Sequence, residues 1–166
     1  GITGRDAQLL VAKQITKSAT GEEINVGQVG EIVGVNPQIL HELMDAKFIP
    51  VIAPVSADKA GRAFNVNADS AAGAIAGALQ VDRTLFLTDV PGLLRKWPDQ
   101  ATLISNISYA EAKSLLPTLS DGMIPKVAAC LRAIEMGAKS AQIVDGREKG
   151  SVQSAISNNS GTVFTA

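Results

Sequence analysis

A single cysteine, Cys130, and a single histidine, His41, stand among 166 residues. One cysteine excludes an intrachain disulfide and a Cys-rich zinc module, and it suits a reducing compartment. One histidine excludes a multi-histidine metal cage. Charge is nearly balanced, with 15 Lys and Arg against 16 Asp and Glu. No whole-chain field therefore draws the molecule to phosphate backbones or anionic lipid. No apolar run reaches the roughly 18 to 20 residues of a membrane span, and no basic segment followed by an apolar block opens the chain. Neither nucleic acid nor membrane is an expected partner.

What is present suits a folded chain. The composition is 46% hydrophobic and 19% charged, with a mean hydropathy of +0.17, which is ordinary for globular proteins. The length suits one compact domain or two small lobes. The sequence opens on Gly1-Ile2-Thr3-Gly4 without methionine, so a longer polypeptide upstream is expected.

Apolar stretches at Leu9–Ala12 and Ile24–Val35, parted by a polar Lys17–Glu23 segment, predict a long antiparallel hairpin. Asn36-Pro37 predicts a capped helix start, with Ile39, Leu40, Leu43 and Met44 on one face as far as Lys47. Phe48–Val55 and Arg83–Thr88 read as buried strands, with a short extended return at Arg62–Val66 between them. Asn67 caps a helix over Ala68–Leu79, where Gly73 and Gly77 would each cost about 1 kcal/mol unless tight packing required them. Ser108 and Glu111 form a capping box for a helix to Leu116. Pro125 opens the next helix, striped by Val127, Cys130, Leu131 and Ile134 and stopped by Gly137. A strand at Ala141–Val144, a helix at Ser151–Ser157 and a strand at Thr162–Phe164 complete the pattern. Alternation of strand and helix from Phe48 onward predicts an α/β fold with a largely parallel central sheet and helices on both faces, plus the hairpin region. Ligands of such sheets gather at the carboxyl ends of the strands.

The familiar phosphate motifs are missing. Gly146–Ser151 places its lysine before the second glycine, and Gly27–Gly34 is spaced GxxGxxxG, so neither is a P-loop or a dinucleotide fingerprint. His41 falls on the polar side of its helix and Cys130 on the apolar stripe of its own, which argues against a hydrolytic triad. Three segments carry more chemistry. Asn65-Val66-Asn67-Ala68-Asp69 puts two amides and a carboxylate at alternate positions before a helix N-terminus, as a turn with its cap or as a polar site. Thr88-Asp89-Val90-Pro91-Gly92 ends a strand in polar atoms, either to cradle a ribose or phosphate or merely to turn the chain. Gly122-Met123-Ile124-Pro125-Lys126 sets a lysine in the first turn of a helix, where it opposes the macrodipole unless an anion offsets it or solvent screens it.

Together these segments resemble the amino acid kinase family. The shared pieces are Asn65–Asp69, Leu87–Gly92 and Asp121–Val127. Gly1–Asp6, Gly27–Ile32 and Ile49–Pro54 add the character of the branch that acts on N-acetyl-L-glutamate. All six occur in order along the chain.

The resemblance implies a three-layer amino acid kinase-like sandwich and a cytoplasmic, homo-oligomeric enzyme of arginine biosynthesis. Its reaction would be transfer of the γ-phosphoryl of ATP, with Mg2+, to the side-chain carboxylate of N-acetyl-L-glutamate. Lys126 would neutralise the transferring group, and Asp69 would hold the catalytic lysines in position. Asn65 and Asn67 would bind acetylglutamate. Thr88, Asp89, Gly92, Gly122 and Met123 would line the nucleotide. No residue is assigned to metal, because phosphate oxygens would carry the magnesium.

Residues 1–82 would be the latter part of the acetylglutamate-binding lobe and 83–166 the ATP-binding lobe. Family members also carry, upstream of the Gly1 equivalent, a lysine-bearing strand, glycine-rich loops and an arginine. None of these is in this sequence, so the chain alone is expected to be inactive or nearly so. The alternatives are a non-catalytic nucleotide-binding or assembly module of the same fold, and a family kinase with another acceptor.

Overall fold

The computed structural model describes all residues except Ala19, Asp121 and Asn159, and describes Asn158 by its backbone alone. The chain divides into two compact units, Gly1–Ala71 and Ala72–Ala166. The lobe boundary expected from the resemblance lies further on, at 82/83.

In the first unit, β1 (Ile2–Thr3) is followed by the antiparallel pair β2 (Leu10–Gln14) and β3 (Gly30–Val35). This is the expected hairpin, although its second strand begins at Gly30 rather than Ile24. Helix α1 spans Gln38–Asp45, with Leu40 buried and His41 exposed on its outer face. Asn36 does not cap it. Pro37 occupies the cap position with no side-chain hydrogen bond. Asn36 instead donates its amide Nδ2 to the carbonyl of Ala7 and its backbone N–H to that of Leu9.

Three short strands follow, β4 (Ile52–Ala53), β5 (Val55–Ala57) and β6 (Ala63–Asn65). β4 pairs in parallel with β1. β2 bridges β5 in parallel, and β5 pairs antiparallel with β6, giving the order β3-β2-β5-β6. The expected buried strand over Phe48–Val55 is corrected here. Phe48, Ile49 and Val51 are 64%, 90% and 68% exposed. Pro50 and Pro54 remove ladder donors on either side of Ile52–Ala53, which limits pairing there to two residues. The unit's interior is built from Leu9, Leu10, Ala12, Ile32, Leu40 and Phe64.

Helix α2 (Ala68–Ala78) begins in the first unit and ends in the second. Asn67 caps it as expected, its Oδ1 accepting the N–H of Ser70 at 2.9 Å.

The second unit runs through β7 (Thr84–Thr88), β8 (Asn106–Ser108), α3 (Tyr109–Leu115), α4 (Ile124–Glu135), β9 (Ser140–Asp145), α5 (Ser151–Asn158) and β10 (Thr162–Thr165). Its ladder order is β7-β9-β10-β8, parallel at β7/β9 and β8/β10 and antiparallel at β9/β10. Side chains alternate across β9. Ala141 and Ile143 join the core beneath α3 and α4 with Val127, Cys130 and Phe164. Gln142 points the other way and donates to the carbonyl of Ala155 in α5, so helices cover both faces. The α/β class is therefore present in parallel-rich sheets. β7 ends its ladder, with Phe86 buried but Leu87 54% exposed, which corrects the reading of a wholly buried strand.

Two local expectations hold in atomic detail. The Ser108–Glu111 capping box is formed, with Ser108 Oγ accepting the N–H of Glu111 and Glu111 Oε2 accepting the N–H of Ser108. Gly73 and Gly77 lie against α4. An added Cβ on Gly73 would meet the carbonyl oxygen of Ala129 at 2.7 Å, and one on Gly77 would collide with Met136.

Candidate functional site

In the first unit, β6 delivers Asn65, exposed at the strand's end. Its backbone N–H donates to the carbonyl of Gln28 at 2.8 Å, and it forms a parallel bridge with Val29. The Gly27–Ile32 and Asn65–Asp69 segments, singled out separately in the sequence, are thus neighbours. Asn67 is also exposed, but its amide oxygen is committed to the α2 cap. Asp69 is half-buried in the first turn of α2.

In the second unit, β7 ends at Thr88, whose hydroxyl donates to the exposed Asp89 carboxylate at 3.2 Å. The Thr88 carbonyl accepts the N–H of Gly146. Gly92 is buried with φ near +149°, and a Cβ there would sit 2.6 Å from the Thr162 hydroxyl oxygen. Its glycine is required by this close approach and by its backbone conformation. Gly122 is exposed and Met123 is half-buried against the core. Asp121, part of the same motif, lies outside the described residues. Lys126 is the third residue of α4, whose cap residue Met123 makes no side-chain hydrogen bond to it. The Ile124 N–H donates to the carbonyl of Ser120 at 3.1 Å and Pro125 has no N–H, while the positive end of the helix dipole lies at this terminus.

The structure joins two of these segments through residues that the sequence reading missed. A cavity of about 190 Å³ is walled by Leu93 and Leu94, which follow Gly92, by Leu115 and Leu119 from the end of α3 and the turn beyond it, by Met123, and by Trp97. Arg95 and the polar residues Thr118 and Ser120 complete it. An apolar pocket with a few polar groups at its margin is the usual form of a small-molecule site. The signal available in the sequence was the one tryptophan, set beside Arg95 and Lys96 in a polar loop.

Near the carboxyl end of β9, the Arg147 guanidinium makes paired hydrogen bonds to the Asp145 carboxylate, and the Arg147 backbone N–H adds another. Together these lower the Asp145 pKa to about 2. Among the described residues no group of three or more His, Cys, Asp or Glu is placed to hold a metal ion. No helix of the described residues is long and apolar enough to cross a membrane.

Residues 3–145 match the amino acid kinase family. The chain is 47% identical over 152 residues to the acetylglutamate kinase of Corynebacterium urealyticum, covering 92% of this chain and 50% of that protein. It is 44% identical over 161 residues to the acetylglutamate kinase of Mycolicibacterium gilvum, covering 97% and 56%. The chain thus spans about half the length of the curated relatives it matches. Among solved structures, the N-acetylglutamate synthase of Neisseria gonorrhoeae in complex with coenzyme A and N-acetyl-glutamate superposes with a TM-score of 0.84 at 26% identity. That match covers 99% of this chain and 37% of that one. The carbamate kinase of Giardia lamblia bound to AMP-PNP shares the fold, with a TM-score of 0.68 at 18% identity over 96% of this chain and 53% of that one.

Proposed function

Because the chain belongs to the amino acid kinase family, we propose that it serves ATP-dependent phosphorylation of the side-chain carboxylate of N-acetyl-L-glutamate. The observation that carries this reading is the second unit's cavity, which joins the residues after Thr88–Gly92 to Met123, three residues before Lys126. The identity to acetylglutamate kinases narrows the acceptor.

In the proposed reaction the bond from the γ-phosphorus to its bridging oxygen breaks, and a carboxylate oxygen bonds to that phosphorus. ADP and an acyl phosphate result. A glutamate side chain is already ionised near neutral pH, so no general base is needed, and an exposed His41 and a buried Cys130 present no difficulty. Phosphoryl transfer asks mainly for positioning and positive charge. Lys126 supplies an ammonium in the first turn of α4, where it adds to the positive end of the helix dipole, a combination suited to the phosphoryl oxygens. Thr88, Asp89, Gly92, Gly122 and Met123 line the nucleotide, Asn65 and Asn67 contact acetylglutamate, and Asp69 orients the catalytic lysines.

Magnesium would travel on the phosphate oxygens. Residues 1–82 belong to the acceptor lobe and 83–166 to the nucleotide lobe. A cytoplasmic location, self-association and a place in arginine biosynthesis are parts of the same proposal.

A second reading, a non-catalytic module of this fold, has one observation in its favour: the superposition on an N-acetylglutamate synthase rather than a kinase. Calorimetry with Mg-ATP, paired with coupled ADP release, separates the two. Nucleotide heat that Lys126→Ala weakens at least tenfold is expected, and no heat with the wild-type chain overturns the kinase reading. Nucleotide binding without acetylglutamate-dependent turnover, in a polypeptide extended to the length of the relatives, favours the module.

A further inference from the structure

Trp97 is 66% exposed, although burying its large ring would ordinarily be favourable. It is nevertheless held by a well-bonded loop. The N–H of Ile104 donates to the carbonyl of Leu93 at 2.9 Å, Leu94 and Leu103 form an antiparallel bridge, and the N–H of Arg95 donates to the carbonyl of Thr102 at 3.0 Å. Thr102 fastens the tip. Its hydroxyl oxygen accepts the N–H of Lys96 at 3.0 Å, and its hydroxyl donates to the carbonyl of Asp99 at 2.6 Å. The Asp99 carboxylate accepts the N–H of Ala101, and the Asp99 N–H donates to the carbonyl of Lys96 at 2.7 Å. The result is an irregular hairpin that carries its one aromatic ring at the tip, on the margin of the cavity floored by Leu93 and Met123.

We propose that Trp97 is a specificity-determining wall of the nucleotide site, against which the purine base of the nucleoside triphosphate stacks. This rests on the nucleotide reading above and adds a residue to it. A volume of about 190 Å³ has room for one flat heterocycle. A flat base filling the cavity covers ring surface that is otherwise left in water, and π-stacking on tryptophan adds to that gain. Arg95 lines the same cavity and Lys96 follows it in sequence, so cationic side chains neighbour the stacking wall. The ordered backbone pre-positions the ring, so little freedom is lost when the base arrives.

The chain holds one tryptophan and one tyrosine, so emission excited beyond the tyrosine absorption band reports on this ring alone. The full chain is titrated with Mg-ATP, with Mg-CTP as a smaller base, and with Mg-tripolyphosphate as phosphates without a base. Calorimetry runs in parallel. Mg-ATP is expected to quench the emission more than Mg-CTP, while tripolyphosphate leaves it unchanged. Trp97→Ala should weaken Mg-ATP about 5- to 100-fold, keep tripolyphosphate affinity within about twofold, and be largely rescued by Trp97→Phe. Circular dichroism confirms folding of both variants. Binding of Mg-ATP to Trp97→Ala within twofold of wild type, or equal quenching by tripolyphosphate, overturns the proposal and leaves the nucleotide reading standing. Failure of wild type to bind Mg-ATP by calorimetry overturns both.

Discussion

The hydroxyl oxygen of Thr162 accepts the backbone N–H of Leu93 at 2.7 Å in the interior of the second unit. Thr162 is fully buried, and Gly92 has no Cβ to block the contact. One hydrogen bond therefore ties the loop leaving β7 to the start of β10, so that Leu93 can form the cavity wall. Removing the hydroxyl leaves a buried donor unmade, which costs about 1–3 kcal/mol. Thr162→Val is expected to lose about that much in urea unfolding, and Thr162→Ser clearly less. Thr162→Val as stable as the wild type, with Thr162→Ser the weaker variant, would show that the methyl group, rather than the hydrogen bond, fixes the loop.

Helix propensity and packing make opposite predictions at Gly77. In an exposed helix, Gly→Ala gains about 1 kcal/mol, but here the new methyl would run into Met136, the residue that follows α4. Overpacking a filled interior costs about 1–3 kcal/mol. Gly77→Ala is therefore expected to destabilise the chain by up to about 2 kcal/mol in denaturant unfolding, and a stabilised variant would refute the packing.

Where a fold feature depends on neighbours in sequence, it was legible. The Ser108–Glu111 box and the Asn67 cap are contacts within one turn, and the helix cost of Gly73 and Gly77 pointed to close packing. Asn36 shows the limit. A residue with the right chemistry for a cap is drawn away by Ala7 and Leu9, which are distant in sequence. The Phe48–Val51 run failed for a related reason, since apolar character indicates what burial would stabilise and not what is present to cover it. In the candidate site, polar motifs such as Thr88–Gly92 stood out because ligands of α/β sheets gather at the carboxyl ends of strands, although the same residues also serve plain turns. The apolar walls did not, because Leu94, Leu119 and Trp97 are ordinary residues until folding brings them together.

The exposed run at Phe48–Val51 gives a direct test of that correction. At 90% exposure, Ile49 contributes little burial, and substitutions at such positions usually stay within about 0.5 kcal/mol. A buried strand residue would instead cost several kcal/mol, as large core truncations do at about 2–5 kcal/mol. Ile49→Lys is expected to leave the denaturation midpoint nearly unchanged, and a loss above about 2 kcal/mol would restore the buried-strand reading.

The Asp145–Arg147 pair predicts the acid limb of stability. Two guanidinium hydrogen bonds and the Arg147 backbone N–H stabilise the ionised carboxylate, lowering its pKa from 3.8 to about 2. A carboxyl whose folded pKa is depressed contributes stability that is fully present above its unfolded pKa and is lost as pH falls through the folded one. For Asp145 that window runs from about 4 down to about 2. Carboxyl-carbon NMR should place its midpoint near 2 in the wild type. Arg147→Met keeps the backbone donor but removes both guanidinium bonds, so the midpoint should move most of the way back toward 3.8. The variant's stability should then depend less on pH between 4 and 2, because the folded and unfolded states bind their proton at more similar pH. A midpoint that stays near 2 in Arg147→Met would assign the depression to the backbone turn, making the guanidinium a passenger on it.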